Sequence, residues 1–390
     1  MRDRSQRLGT FVETSVGGER VRAYLPAPLP PDPPLDLPQL MSVYERAIAA
    51  VGRLDGVTTI LPSTPLYLYM YVRKEALLSS QIEGTQSSLS DLLLFENDEA
   101  PTVELDDVTE VSNYVAAIEH GVHRIRGGFP LSLRLIREMH EIILRSGRGA
   151  AKQPGEFRRS QNWIGGTRPG NALFVPPPPD RLHDCLDRFE RFLHAKDVAL
   201  PPLIRAALAH VQFETIHPFL DGNGRLGRLL ITLILVEAGI LREPILYLSL
   251  FLKSRRDDYY RLLQEVRQAA AWEAWLEFFL TGVAETAEQA SDTARELIAM
   301  FDAHRQRIQT LGRSAPSALR VHEFMQARPI VTIQTVADAL QTSFPTAAGA
   351  LEKLADLEIV RETTGKRRGR IFAYSNYLAL LDRGTEPLRS

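Results

Sequence analysis

The segment from His217 to Arg228 holds residue types that could carry out chemistry on a phosphate group. Gly222 and Gly224 flank Asn223 directly before an apolar run that reads as a helix. Glycines permit unusual backbone angles, and the free N–H groups at the start of a helix form a ready site for an anion. The segment therefore predicts a phosphate-binding loop.

The charged residues of this segment add the other parts that such chemistry needs. Arg225 and Arg228 are three residues apart, so they share a helix face and could bind one anionic ligand. Asp221 offers a hard carboxylate oxygen that suits Mg²⁺ bridging phosphates. His217 titrates near neutrality and could act as a general base. Each feature alone is common in turns and solvated helices, but together they indicate phosphoryl or nucleotidyl transfer.

The same segment resembles the signature of Fic-type proteins, His-x-Phe-x-(Asp or Glu)-Gly-Asn-Gly-Arg-x-x-Arg, at all eight of its defined positions. The stretch from Ile164 to Asn171, together with the prolines from Pro176 to Pro179, is similar to the family's flap, which aligns the target segment. The resemblance covers roughly residues 40–285. It implies a protein adenylyltransferase that moves AMP from ATP to a Ser, Thr or Tyr hydroxyl of a target protein or of the chain itself.

The resemblance also implies a role for each matched position. His217 would take the proton from the target hydroxyl, and Asp221 would hold Mg²⁺ on the α- and β-phosphates. Phe219 would anchor the loop in the core. Tyr260, beside Tyr259, and Ser254 resemble residues near the adenine. The resemblance implies that Arg228 binds the γ-phosphate. The full set of implied nucleotide-binding residues is Gly222, Asn223, Gly224, Arg225, Leu226, Gly227, Arg228, Ser254 and Tyr260.

An upstream helix carries a pattern that resembles the family's inhibitory motif, (Ser or Thr)-x-x-x-Glu-(Gly or Asn). Ser79 and Glu83 are four residues apart on one helix face, and Gly84 can end the helix in a left-handed conformation. The resemblance implies that Glu83 pairs with Arg228 and removes it from the γ-phosphate. It leaves open the reverse reaction, in which Glu83 would orient a water that hydrolyses AMP from a modified protein.

The elements that position these residues are mainly helical. We expect a Fic-type α-helical core with a short β-hairpin flap, followed by a winged-helix domain. Helices are predicted over Trp272 to Glu285 and Glu288 to Gln309. The predicted divisions are a hairpin with a proline-rich strap (1–38), a helical region carrying the inhibitory helix (39–104), the catalytic core (105–285), a linker helix (286–313) and the winged helix (314–390).

The C-terminal module is predicted from three short helices followed by two strands, the order of a winged helix. Between Arg361 and Arg370 there are five basic residues and one acidic residue, centred on Lys366-Arg367-Arg368. Such a tip could contact DNA phosphates. The presumed recognition helix has little that could read base edges, so protein binding, including a homodimer, is an alternative, as is a DNA-binding regulator whose Fic core senses nucleotide.

Composition narrows the class of protein. The net charge of −2 gives no global signal for nucleic acid, and the single cysteine, Cys185, excludes an intramolecular disulfide and a cysteine-rich zinc site. The longest apolar run, from Leu229 to Val236, is too short to span a membrane, for which about 20 residues are needed. No signal peptide is apparent at the N-terminus. We therefore expect a cytoplasmic protein without membrane contact.

Overall fold

The computed structural model describes residues 4–60, 64–96, 103–195, 200–365 and 369–387. The described residues are mainly helical, as predicted. The strands are β1 (Thr10–Val16), β2 (Glu19–Leu25), β3 (Ile330–Thr332), β4 (Arg361–Glu362) and β5 (Ile371–Ala373). The helices are α1 (Met41–Ile60), α2 (Thr64–Ile82), α3 (Leu89–Phe95), α4 (Leu105–Arg126), α5 (Leu133–Ile143), α6 (Pro179–His194), α7 (Pro202–Ile216), α8 (Asn223–Glu237), α9 (Ser249–Ser254), α10 (Arg256–Ala269), α11 (Trp272–Gln309), α12 (Ala315–Ala327), α13 (Ile333–Ala339), α14 (Phe344–Asp356) and α15 (Ser375–Leu381).

The helices α7 and α8 form the centre of the core and hold the 217–222 loop between them. Both are apolar on nearly every face and almost wholly buried, which is typical of a helix surrounded by other helices. Buried His210 ties α7 to its neighbours, because one ring nitrogen contacts Gly227 O and the other contacts the Tyr259 hydroxyl, each at 2.9 Å. The loop is therefore anchored at both ends.

Helix α11 runs without a break from Trp272 to Gln309, where the sequence predicted two helices. The intervening Thr286-Ala287-Glu288 contains no glycine or proline that would stop a helix, and Ala287 and Ala290 are fully buried. The helix packs along α1 and passes through the predicted division between residues 285 and 286.

The N-terminal hairpin forms as predicted, with β1 and β2 antiparallel around Gly17-Gly18. The flap differs from the hairpin that was expected. A single antiparallel bridge, Ile164 to Phe174, closes it. The left-handed Gly165 and Gly166 turn the chain away directly after the bridge, so a longer ladder cannot continue.

The C-terminal region contains the three predicted helices α12 to α14, a further helix α15 after the last strand, and a sheet in which β5 lies between β3 and β4, both antiparallel to it. Strand β3, which the sequence analysis did not predict, lies between the first and second of these helices. The basic tip Lys366-Arg367-Arg368 lies outside the described residues. Within the described ranges, no helix combines the length and the apolar character needed to cross a bilayer.

His210 should make the fold less stable in acid. Burial lowers the pKa of His210 to about 3, whereas an unfolded histidine titrates near 6.5. Between these values the unfolded chain binds the additional proton, so this loss of stability begins as the pH falls below about 6.5 and reaches up to about 1.4 kcal/mol per pH unit. Urea unfolding between about pH 4.5 and pH 7 should show a shallower pH slope for His210→Gln than for wild type. Identical slopes would rule out this coupling.

Candidate active site

His217 ends α7 in a left-handed conformation, with φ 49° and ψ 61°, which few residues other than glycine adopt. Its N–H donates to Phe213 O at 2.9 Å. Arg158, which is buried, donates from Nε to His217 O at 2.9 Å and from Nη2 to Pro177 O at 2.5 Å. Arg158 thus fixes the backbone of His217 and ties it to the end of the flap.

Burial, together with the positive charges of Arg267 and Arg158, lowers the pKa of His217 to about 3. The imidazole is therefore neutral at physiological pH and able to accept a proton. Its Nδ1 is buried and has no hydrogen-bond partner among the described residues. We infer that Nε2 is the nitrogen that meets a substrate.

The loop after His217 is held by its own side chains. Asn223 accepts from Phe219 N and donates to Phe219 O, each at 2.9 Å, so its side-chain amide closes the loop. The fully buried Phe219 ring stacks on His140, with 3.6 Å between the ring centroids. His140 accepts from Gly155 N at its Nδ1, so its Nε2–H donates to Asp221 O at 3.0 Å.

The end of this loop presents the features expected of an anion and cation site. Gly222 has φ +76° and precedes the first turn of α8, whose leading N–H groups have no partner within the helix. The Asp221 side chain is about two-fifths exposed, and its Oδ1 accepts from Gly222 N at 2.6 Å. No cluster of three or more metal-ligating side chains occurs in the described part of the chain. One carboxylate fits Mg²⁺ only where substrate phosphates supply further ligands.

Arg228, only 2% exposed, faces the end of α2. Its Nε donates to Ser79 Oγ at 2.8 Å and its Nη2 to Ser79 O at 2.9 Å. The same Nη2 donates to Glu83 Oε1 at 2.7 Å, which is the pairing that the resemblance implied. Burial alone would raise the pKa of Glu83, but the Arg228 charge and hydrogen bond outweigh it, so the pKa is lowered and the carboxylate is ionised.

Gly224 lets this carboxylate approach the start of α8. A Cβ at Gly224 would lie 2.2 Å from Glu83 Oε1, so any side chain there would displace the carboxylate from this position. Glu83 therefore lies directly over the first turn of α8. Gly84, next in the chain, has φ +105°, which turns the chain away after the end of α2.

Arg225 and Arg228 do not share a ligand, although their spacing suggested that they could. Arg225 Nη1 donates to Glu110 Oε2 at 3.1 Å, and both side chains are about 95% buried. Leu226 is fully buried in the apolar core, and its N–H donates to Gly222 O within the helix. Neither residue lines the cavity described next.

Glu83, His217, Gly224 and Arg228 all line one cavity of about 640 Å³. Tyr260 lines it, whereas Ser254 does not, because Ser254 Oγ turns back to Phe251 O at 2.9 Å within its own helix. Sequence reasoning had no signal for Glu214 or Arg267. The residues lining the cavity are Glu83, Ile164, Gly165, Leu173, Phe174, Glu214, His217, Gly224, Arg228, Arg256, Tyr259, Tyr260, Leu263, Gln264, Arg267 and Gln268.

Glu214 and Arg267 lie at the buried side of this cavity. Burial and the negative charge of Glu83 outweigh the opposing charges of Arg228 and Arg267, and the pKa of Glu214 is raised to about 7. Arg267 donates to Glu214 O at 3.1 Å and to Thr215 Oγ1 at 3.2 Å. It therefore holds the last turn of α7 directly before the left-handed His217.

The flap is backed by the N-terminal hairpin. Tyr24 N donates to Val175 O at 2.9 Å, and the Tyr24 and Phe174 rings pack with centroids 6.0 Å apart. An exposed ion pair, Arg168 with Glu19 at 2.9 Å, joins the outer end of the flap to the hairpin. The hairpin thus supports the cavity wall that Phe174 forms.

Comparison with known proteins identifies two regions. A family described as Fic/DOC family N-terminal matches residues 41–123, and the Fic/DOC family itself matches residues 130–235. This chain is 36% identical to the "Protein adenylyltransferase Fic" of Drosophila erecta and 38% identical to that of Drosophila yakuba. Each match covers 135 residues, or 34% of this chain. The chain spans about a quarter of the length of these curated relatives.

A solved structure shares the fold. A Fic family protein from Desulfovibrio desulfuricans G20 superposes with a TM-score of 0.54 at 20% identity, covering 85% of this chain and 95% of that one. At this identity the likeness concerns the fold alone. It extends well beyond the two matched regions.

Arg158 offers a test of how His217 is kept neutral. Replacing it with glutamine removes a positive charge that lowers the pKa of His217, so the pKa should rise from about 3. Arg158→Lys keeps the charge while losing the guanidinium fork, and should leave the pKa closer to that of wild type. NMR titration of the His217 ring measures both variants. Equal pKa values in Arg158→Gln and wild type would contradict this electrostatic role.

Proposed function

We propose that this chain, a member of the Fic/DOC family through both of its matched regions, is a protein adenylyltransferase that moves AMP from ATP to a protein hydroxyl. One observation carries the proposal: a neutral His217 and a buried Arg228 line the same cavity, at the start of α8. The names of the Drosophila relatives support the choice of reaction.

The reaction would be an in-line substitution at the α-phosphorus. A Ser, Thr or Tyr hydroxyl oxygen forms a bond to that phosphorus while its bond to the oxygen bridging the β-phosphorus breaks, and pyrophosphate leaves. His217 accepts the hydroxyl proton. Because its pKa is about 3, it is unprotonated and ready before the substrate arrives.

The phosphates would lie at the α8 N-terminus. The backbone N–H groups after Gly222 lie at the N-terminus of α8, which is the positive end of the helix dipole and therefore favours an anion. Asp221 would hold Mg²⁺ together with the phosphates, and the bound ion would supply positive charge for the leaving pyrophosphate. Arg228 would bind the γ-phosphate once Glu83 has left it.

Autoinhibition is the regulatory part of the proposal. Glu83 and the γ-phosphate are both anions that need the Arg228 guanidinium, so they compete for it. Glu83 is tethered through α2, which gives it a high effective concentration at Arg228. Its negative charge over Gly224 also repels phosphate. Wild-type protein should therefore bind ATP in a pose that does not react.

The reverse reaction is a second candidate because the same carboxylate lines the cavity beside His217. Glu83 could orient a water towards the AMP–protein bond, and hydrolysis would release AMP and the free hydroxyl. The two candidates make opposite demands on Glu83: its removal activates transfer but abolishes hydrolysis.

The C-terminal region is proposed to be a winged-helix unit. Three helices, α12 to α14, followed by the β4–β5 hairpin support this assignment, with β3 as the third strand of the sheet. The partner of this unit stays open between DNA and protein.

In the Glu83→Gly chain, where transfer is no longer inhibited, replacing His217 with alanine should abolish AMP transfer while ATP binding stays nearly intact, because the imidazole acts on the hydroxyl rather than on the nucleotide. Removal of a general base lowers a rate by about 10²–10⁴-fold. Labelling with ATP carrying a labelled α-phosphate measures transfer, and calorimetry measures binding. Undiminished self-labelling by His217→Ala would overturn the mechanism.

Glu83→Gly should label itself or target proteins in lysate much more strongly than wild type, because Arg228 and the phosphate site become free. Arg228→Ala breaks the same ion pair but also removes the proposed γ-phosphate ligand, so it should stay inactive. Glu83→Gly combined with His217→Ala is the control and should not label.

Two results would count against this scheme. A hyperactive Arg228→Ala would contradict the competition. Equal labelling by Glu83→Gly and wild type, with AMP hydrolysis by neither, would leave Glu83 without a regulatory role.

A further inference from the structure

The segment 383–386, called the latch here, lies across the inhibitory helix α2 and helix α9. It follows α15 and begins with a turn in which Thr385 N donates to Asp382 O at 2.9 Å. Gly384 has φ +79°, and a Cβ there would lie 2.7 Å from a methyl carbon of Leu250 in α9. The latch is therefore packed closely against the helical core.

The backbone carbonyls of the latch accept hydrogen bonds from buried side chains of α2 and α9. Lys74 Nζ donates to Arg383 O at 2.9 Å, and Gln81 Nε2 donates to Thr385 O at 2.8 Å. Lys253 Nζ donates to Gln81 Oε1 at 2.7 Å, to Gly384 O at 3.3 Å and to Glu386 O. Gln81 thus connects α2 to the latch directly and through Lys253.

These contacts lie beside the inhibitory glutamate. Gln81 is two residues before Glu83, and their side chains leave the helix in different directions, Gln81 to the latch and Glu83 to Arg228. The N–H groups of Glu83 and Gly84 donate to Ser80 O and Gln81 O, so the last turn holds the carboxylate in place. A helix end without such supports frays readily.

Displacing the latch would remove hydrogen-bond acceptors from two buried lysines. Lys74 and Lys253 are buried, and burial lowers the pKa of each to about 8. An ammonium group buried away from water needs hydrogen-bond acceptors, and the latch carbonyls supply them. If the latch moves away, both lysines lose these acceptors and the packing of α2 on α9 loosens.

We propose that the latch is the link through which the C-terminal unit controls autoinhibition: a partner that shifts α15 withdraws residues 383–386 and frees the last turn of α2, and with it Glu83. This inference rests on the proposed function. It names the route by which the inhibition of Arg228 by Glu83, called the brake here, is released. The route is continuous in the chain, because the latch directly follows α15, whose Tyr377 and Leu381 are buried.

Two variants of the full chain test the latch from opposite sides. Gly384→Val places a side chain against Leu250 at a left-handed position, and Lys253→Met removes the ammonium that joins Gln81 to the latch. Each should raise self-labelling by about 5–150-fold, the usual span of coupling between sites. In the Glu83→Gly background neither should raise it further, because the brake is already absent.

Arg383→Ala is the matched control. It lies within the latch, but its side chain is about half exposed and forms an exposed ion pair with Glu296, and the substitution retains its backbone carbonyl. It should label like wild type. Thermal melts confirm that each variant is folded before labelling is compared.

Hydrogen exchange at the Glu83 and Gly84 amides gives a readout that does not need activity. Both amides should exchange faster in Gly384→Val and Lys253→Met than in Arg383→Ala. Unchanged exchange together with wild-type labelling would overturn the latch. If Glu83→Gly itself fails to activate, the proposed autoinhibition is wrong, and the exchange rates alone then decide whether the latch holds α2.

Discussion

Arg228 carries a charge that cannot be removed by deprotonation, and almost all of its side chain is out of contact with water. A buried guanidinium without an anion or a set of acceptors is strongly destabilising. The end of α2 meets this requirement with the carbonyl and hydroxyl of Ser79 and with the carboxylate of Glu83. Gly224 leaves the space through which that carboxylate reaches the guanidinium.

The same charge shapes the titration of its neighbours. Glu83 is held ionised by Arg228, and that negative charge then makes a second anion in the cavity unfavourable, which contributes to the raised pKa of Glu214. On the other side, burial, reinforced by the positive charges of Arg267 and Arg158, lowers the pKa of His217 and keeps it neutral. One carboxylate is thus ionised, one titrates near neutrality, and the histidine is free to accept a proton.

The sequence predicted contacts between near neighbours in the chain better than contacts between residues far apart in it. The 217–224 loop depends on contacts between near neighbours, such as Asn223 with Phe219, so a short motif was enough to locate it. Arg158 and Glu110 act on residues far away in the chain, and only folding brings them to the loop. The spacing of Arg225 and Arg228 placed them on the same helix face, but it could not show that Arg225 forms an ion pair with Glu110.

The Glu83 carboxylate and the 217–222 loop are held by different sets of contacts. The loop is stabilised by residues between His140 and Asn223, largely within the region matched to the Fic/DOC domain. Glu83 belongs to the separately matched N-terminal region and reaches Arg228 from 145 residues away. Because none of the loop's hydrogen bonds described above depends on Glu83, the last turn of α2 can leave Arg228 without dismantling the loop. A ligand then needs only to supply Arg228 with another anion, which under the proposed function is the γ-phosphate of ATP.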